Sequence, residues 1–285
     1  MTLVWGGLAL GAIYALVAIG YNIVYLSAKT FNFAHAQLLM LGVFVTYTCL
    51  MEWRLPWLLV IVLAAAAVAV VAAIENLVAV RPVKDVHNIL VTTLGASTFL
   101  DGTVSLIWGN QPLAVSFPLG GNAIDLLGGR VYPIEPILIL LVIVIVLADF
   151  WISRRFLVGL ALRAMSEDPE AAQLRGVNIR AMAFGAFVAA GALAGAAAVF
   201  VGPKTFAVST LGDSLALKGF VALAIGGFGS MPGALVGGAA VGLVEILAAR
   251  YLGGEYSNPM IFVMLLTVFI IRPAGLFVHS SERTV

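Results

Sequence analysis

Charge is what this chain has least of. Lys and Arg number 15 and Asp and Glu 14 in 285 residues, so only 10% of the chain is charged. Soluble domains carry about 25% charged and about 45–50% apolar residues. Here 62% of residues are hydrophobic and the mean hydropathy is +1.10. A folded surface with so few charges cannot hold water over most of its area, so the medium around it is lipid. Cysteine is almost absent, and Cys49 alone excludes a disulfide framework and a Cys-based zinc site. The three histidines, His35, His87 and His279, stand far apart without i, i+4 pairing, which argues against a metal site. A net charge of +1 with scattered basic residues excludes the electrostatic footprint of a nucleic-acid binder. There is no Gly-x4-Gly-Lys-[Ser/Thr] phosphate loop and no Gly-x-Ser-x-Gly nucleophile turn, so the chain has neither a nucleotide engine nor the ingredients of a hydrolase. No basic residue precedes the apolar stretch from Leu3 to Leu26. A signal peptide carries its positive charges in front of such a stretch, so the segment is expected to be a retained first helix.

What the chain has is apolar length. A membrane-crossing helix needs about 20 apolar residues, or roughly 30 with a short loop, which gives about eight or nine crossings and no sizeable domain outside the membrane. Apolar stretches fall at 3–26, 36–53, 57–80, 88–108, 134–152, 181–201, 214–229, 233–250 and 259–271. The seventh and ninth are short enough to be half-helices or tilted spans. The expected fold is therefore an all-α polytopic integral membrane protein, one membrane domain over 1–285, with some helices short or broken. A polar loop over 109–133 contains an alternating piece, Leu113 to Phe117, suited to a small hairpin outside the membrane.

Basic residues set the orientation, because short cytoplasmic loops are enriched in Lys and Arg. Arg154, Arg155, Arg163, Arg175 and Arg180 lie in the 153–180 loop, which is therefore placed inside. Alternation then puts Lys29, Arg81, Lys84, Arg272 and Arg283 inside as well, against Arg54, Arg130, Lys204 and Arg250 outside, with Lys218 unassigned. The bias predicts an N-terminus outside and a C-terminus inside.

The 30 glycines include pairs four residues apart: Gly7 and Gly11, Gly191 and Gly195, Gly229 and Gly233, Gly233 and Gly237, Gly238 and Gly242. Small residues at that spacing let helix backbones approach closely in lipid. The run Gly226-Gly227-Phe228-Gly229-Ser230-Met231-Pro232-Gly233 cannot be an ordinary helix interior. It reads as a tight turn or a broken helix, a form tolerated at membrane depth only inside protein or beside water.

In the 153–180 loop, Asp168-Pro169-Glu170-Ala171-Ala172-Gln173-Leu174-Arg175-Gly176 spells a short capped helix. Asp168 is a good N-cap, and Pro169 fits the first helical position. Glu170 and Arg175 complement the two helix ends, and Gly176 can close the helix in the left-handed region. A small, capped Ala face suits docking in a groove of another protein; a surface linker helix is the alternative.

Glu170-Ala171-Ala172, three residues, then Gly176 resembles the EAA-x3-G coupling loop of ABC importer permeases. The longer pattern runs from Leu162-Arg163-Ala164 through Asp168 to Gly176 and on to Gly191-Ala192-Leu193-Ala194-Gly195. It is similar to the branched-chain amino acid permeases of the LivH/LivM group. Phe31-Asn32-Phe33-Ala34-His35-Ala36-Gln37, Arg81-Pro82, Gly226 to Ser230 with Gly233, and Arg272-Pro273-Ala274-Gly275-Leu276-Phe277 match the LivH-like half in order along nearly the whole chain. Two departures stand out: His35-Ala36 where a glycine is usual, and Asp101 in a usually neutral helix.

The resemblance implies a permease subunit in the cell (inner) membrane that moves branched-chain amino acids, or for some relatives urea, amides or other amino acids. It implies no cofactor of its own, with ATP bound by two separate ATP-binding subunits, a second LivM-like permease chain and an extracytoplasmic solute-binding protein. Arg163, Asp168, Glu170, Ala171, Ala172 and Gly176 would form the ATPase-coupling element. Arg163 either clamps the short helix to the membrane core or serves as a positive-inside anchor.

Charges within spans are functional candidates because lipid burial is costly. Glu75 and Asp149 lie near cytoplasmic helix ends and read best as topology anchors. Asp101 and Glu245 sit deeper. They are either tied to a neighbouring helix or facing an aqueous outer vestibule, with Arg250 or Lys218 as candidate partners, or members of a proton relay in a secondary transporter. Asn22, Asn32, His35 and Gln37 are candidates for the substrate path, with helix capping and interhelical hydrogen bonding as the alternative.

Overall fold

The computed structural model describes residues 1–83, 85–117, 120, 122–126 and 128–277. Lys84, His279 and Arg283 lie outside them. Each apolar stretch forms a helix: α1 (Thr2–Ala28), α2 (His35–Tyr47), α3 (Trp57–Glu75), α4 (Val86–Trp108), α5 (Ile134–Arg155), then α6 (Leu157–Glu167) and α7 (Pro169–Leu174) in the long loop. α8 (Ile179–Thr205), α9 (Leu211–Gly226), α10 (Met231–Tyr251) and α11 (Ser257–Ile271) follow. Wide π-helical turns at Thr48–Glu52 and Asn76–Val80 prolong α2 and α3.

Seven of these helices are long and apolar enough to cross a membrane. α2 and α9, with 13 and 16 residues, are not. The brevity of α9 matches expectation; that of α2 does not, and its cause is local. The His35 ring occupies the space a side chain at Gly20 would need, eight residues before the end of α1. The chain therefore turns back along α1 over Lys29–Ala34 before α2 starts, and Thr30, Asn32 and Ala34 are buried on the way. α11 reaches 18 residues only with the 3-10 turn Gly254–Tyr256 in front of it.

The hairpin forms later in the loop than its sequence suggests. β1 (Ile124–Leu126) pairs antiparallel with β2 (Gly129–Val131), turning at Gly128 with φ +76°. Leu113 instead makes an isolated bridge to Ala207. The alternating stretch from Leu113 has no partner nearby in the loop, whereas the later one has a glycine turn to fold about. The first residues of α1 lie at this hairpin end, where the Thr2 hydroxyl accepts the Arg130 N–H at 3.1 Å. α7 lies at the opposite, short-helix end, and so does the start of α4, where the His87 N–H donates to the Asp85 carboxylate at 3.0 Å. That bond holds Asp85 below the ordinary carboxylate range.

α1 is the axis of the bundle. It packs against α5, α8, α9 and α10 and buries 17 of its residues, from Gly6 to Ser27. Its tightest neighbour is α10: a Cβ built on Gly11 would stand 2.6 Å from the Gly238 carbonyl oxygen. Gly242 meets the Gly7 and Gly11 backbone, and Gly191 and Gly195 of α8 likewise abut Ala72 and Ala64 of α3. The four-residue glycine pairs are thus contact surfaces. Outward faces are apolar, as on α5 (Leu140, Val144, Leu147) and α11 (Phe262, Val263, Leu266, Ile270).

Gly11→Leu forces α1 from α10. Overpacking costs ~1–3 kcal/mol or more, so the melting temperature of the detergent-purified protein is expected to fall by roughly 5 °C or more. Gly185→Ala in α8, which meets open space, is expected to hold or raise it.

Candidate functional site

The long loop folds as two helices. In α7 the Asp168 carboxylate accepts the Ala171 N–H at 3.0 Å, with Pro169 in the first turn. The Gly176 N–H returns to the Gln173 carbonyl at 2.9 Å, and Gly176 takes φ +88°. Asp168, Pro169 and Gly176 thus occupy the cap, first-turn and closing positions their chemistry favours. Ala172 is buried against the chain, while Glu170, Ala171 and Gln173 are exposed. Leu174, 90% exposed, projects beside them. An apolar side chain left so open at the tip of a loop is suited to a protein groove, and sequence inspection passed over it.

α6 was also missed, because the stretch reads as loop by its charges. Its signal is the helical spacing of Leu157, Val158, Ala161, Leu162 and Met165. Gly159 packs into the α5 corner, where a Cβ would strike the Ser153 and Ile152 backbone, and Met165 is buried. α6 touches α1 and α7, so the short helix is joined to the axis of the bundle. Arg163 is exposed on α6 and lies within electrostatic reach of Asp149 on α5.

The four polar candidates on the first two helices do not converge on one cavity. Each is buried to within 2%, and each has its own task. Asn22 accepts the Gly229 N–H at 2.7 Å and donates to the Ser230 carbonyl at 3.0 Å. It ties α1 to the break between α9 and α10. Asn32 accepts the Ala34 N–H at 2.9 Å at the entry to α2. His35 fills the Gly20 notch with its ring 5.7 Å from Tyr21. Gln37 donates to Asp213 of α9 at 3.0 Å, and Asp101 of α4 faces this pair.

The break is fixed from the other side as well. The N–H groups of Leu276 and Phe277 donate to the Ile225 and Gly226 carbonyls at 2.9 and 3.2 Å, satisfying carbonyls left open where α9 stops. The Gly226 run and the Arg272–Phe277 run, distant in sequence, are therefore one structural unit. Four rings gather beside it. Phe31 is 5.2 Å from Tyr25 and from Phe228 and 5.9 Å from Phe220, and Phe220 is 6.2 Å from Phe228.

Two pairs of intramembrane charges meet across helices. Lys218 of α9 meets Glu245 of α10 at 2.6 Å, and the Tyr14 hydroxyl donates to the same carboxylate at 2.5 Å. Of the two partners weighed for Glu245, Lys218 is the one present. At the hairpin end, Lys204 meets Glu135 at 2.5 Å. Glu75 lines an apolar cleft of about 470 Å³ between α3 and α4, yet its oxygens are sealed from it and find no hydrogen-bond partner among the described residues.

Irregular backbone held within protein and ion pairs between helices are features that membrane transport proteins share. Comparison with known proteins narrows that class to one family. Residues 3–270 match the family model of the branched-chain amino acid transport system permease component, and the chain belongs to that family. It is 31% identical to the high-affinity branched-chain amino acid transport system permease protein LivH of Escherichia coli K12, and 33% identical to BraD of Pseudomonas aeruginosa. Each alignment spans 95% of this chain and 93% of the relative. The probable LivH of Methanocaldococcus jannaschii is 26% identical over 95% and 90%. Among solved structures, PsaBC from Streptococcus pneumoniae in complex with Fab shares the fold at TM-score 0.50 and 13% identity, over 96% of this chain and 93% of that one.

The Gly20–His35 fit is testable by a double-mutant cycle. Gly20→Ala alone is expected to lower the melting temperature, because its methyl enters the imidazole. Gly20→Ala with His35→Ala is expected to recover part of the loss; additive losses would show that the two positions do not share space.

Proposed function

We propose that this chain is the membrane-spanning subunit of a binding-protein-dependent, ATP-driven importer of branched-chain amino acids in the cell (inner) membrane. The single observation that carries the proposal is the capped α7 helix with its exposed Leu174, on a chain belonging to a transport-permease family. The names of the relatives support the substrate class. With no phosphate loop in the sequence, the work comes from two separate ATP-binding subunits. A second, LivM-like permease chain and an extracytoplasmic solute-binding protein complete the assembly. Arg163, Asp168, Glu170, Ala171, Ala172 and Gly176 form the coupling element, and the basic loop faces the cytoplasm, with the N-terminus outside and the C-terminus inside. Closure of the ATP-binding pair pushes α7. α6 passes the displacement to α1, and the glycine-packed helices tilt so that the path changes sides.

Gly176→Arg tests the coupling role. A left-handed residue other than glycine costs roughly 1–2 kcal/mol, and the arginine adds bulk where α7 closes. Uptake by the complete transporter in vesicles is expected to be lost while the chain still inserts and pairs; full uptake would remove α7 from the mechanism. A proton-relay role for Glu245 is tested by Lys218→Met with Glu245→Gln, which removes both charges and keeps an acceptor for Tyr14. ATP-driven uptake is expected to persist, and its replacement by gradient-dependent uptake would favour a secondary transporter.

A further inference from the structure

We infer that Tyr25, Phe31, Phe220 and Phe228 form an aromatic collar across the path of the substrate. The inference rests on the importer reading and deepens it by naming where the path is closed.

Lys29–Ala34, which runs back along α1, and Gly227–Ser230, where α9 stops and α10 begins, are both non-helical. Lipid satisfies no backbone N–H or C=O, so such backbone survives at depth only against protein or beside water. The two stretches meet through Phe31 and Phe228, 5.2 Å apart. These rings are only partly buried, packed on one side against the core, so the face that carries them is open in this chain.

α9 makes the same distinction by its side chains. Asp213, Leu217 and Phe220 succeed one another at i, i+4 and i+7, the spacing of one helix face, and Asp213, Ser214 and Leu217 are exposed. The outward stripes of α5 and α11 named above carry no carboxylate, and the exposed Thr267 hydroxyl of α11 is spent on the Val263 carbonyl at 2.8 Å. The open face of α9 is thus a track. Its hairpin end is acidic, with Asp213 held by Gln37 and facing Asp101. Its other end is closed by the four rings. Beyond them the Lys29 ammonium stands 5.4 Å from the Tyr25 ring centre.

This order suits a zwitterion with an apolar side chain. The carboxylates attract its ammonium group, and the collar admits its aliphatic part while excluding water and ions, as an apolar constriction does by dewetting. Phe228 sits on a loop held to α1 by Asn22, and Phe31 on a segment whose neighbours Thr30, Asn32 and Ala34 are buried, so the backbone that carries both rings is held in place and opening falls to rotation of the side chains.

The test uses the complete transporter in vesicles loaded with radiolabelled leucine, without ATP. Phe31→Ala with Phe228→Ala is expected to raise passive leucine efflux about tenfold, the rate factor of ~1.4 kcal/mol off a barrier. Efflux unchanged from the parent in a folded variant would overturn the collar. A second measurement holds even if that variant fails to fold. In a Cys49→Ala background, Leu217→Cys on the track is expected to react with a membrane-impermeant thiol reagent, and Leu266→Cys on α11 is not. Equal reactivity at the two positions would place α9 in lipid and sink the inference. Parental uptake measured in the same vesicles separates the outcomes: if the parent does not carry leucine, the importer reading fails, while the labelling contrast still decides whether this face is wet.

Discussion

Close backbone contact between helices is the constraint on which the rest of this structure depends. In lipid there is no hydrophobic gain from bringing two apolar helices together, so association rests on van der Waals packing at short range. The chain meets that requirement with glycine and alanine at the α1–α10, α3–α8 and α9–α10 contacts, where a Cβ would strike backbone. Because these contacts have no slack, displacement of one helix is passed to its neighbour rather than absorbed. In the proposed mechanism that stiffness is what lets the six-residue α7 bear on the membrane helices.

The second constraint is that every polar group taken below the surface needs a partner. Asn22 serves the α9–α10 break, the Leu276 and Phe277 N–H groups serve the end of α9, and Lys218, Glu245 and Tyr14 serve one another. Polar residues in the spans thus hold irregular backbone and crossing helices in place. The same architecture leaves one face of α9 open and flanked by rings, and that face carries a carboxylate, Asp213, where the outward stripes of α5 and α11 carry none.

The α7 helix was legible in the sequence because its capping is local: Asp168, Pro169 and Gly176 act within a few residues of one another. The glycine pairs were legible as packing surfaces, since the four-residue spacing is a property of any helix. The position of the hairpin was not, because alternation at Leu113 signals a strand but cannot say whether a partner lies within reach. α6 was hidden by the arginines on either side of it. The tasks of His35 and Gln37 were hidden for another reason: their partners, Gly20 and Asp213, are 15 and 176 residues away.

Sequence by itself determined the solvent, the places of the apolar stretches, the capped helix and the absence of a nucleotide-binding loop, all of which follow from composition and short-range chemistry. Tertiary structure decided which glycines face which, that Lys218 and not Arg250 neutralises Glu245, that the Gly226 and Arg272 runs form one unit, and that four rings from four segments meet. Those outcomes depend on distances between elements far apart in the chain. A periodic apolar pattern fixes the axis of a helix but leaves its neighbours, its depth and its rotation to the packing.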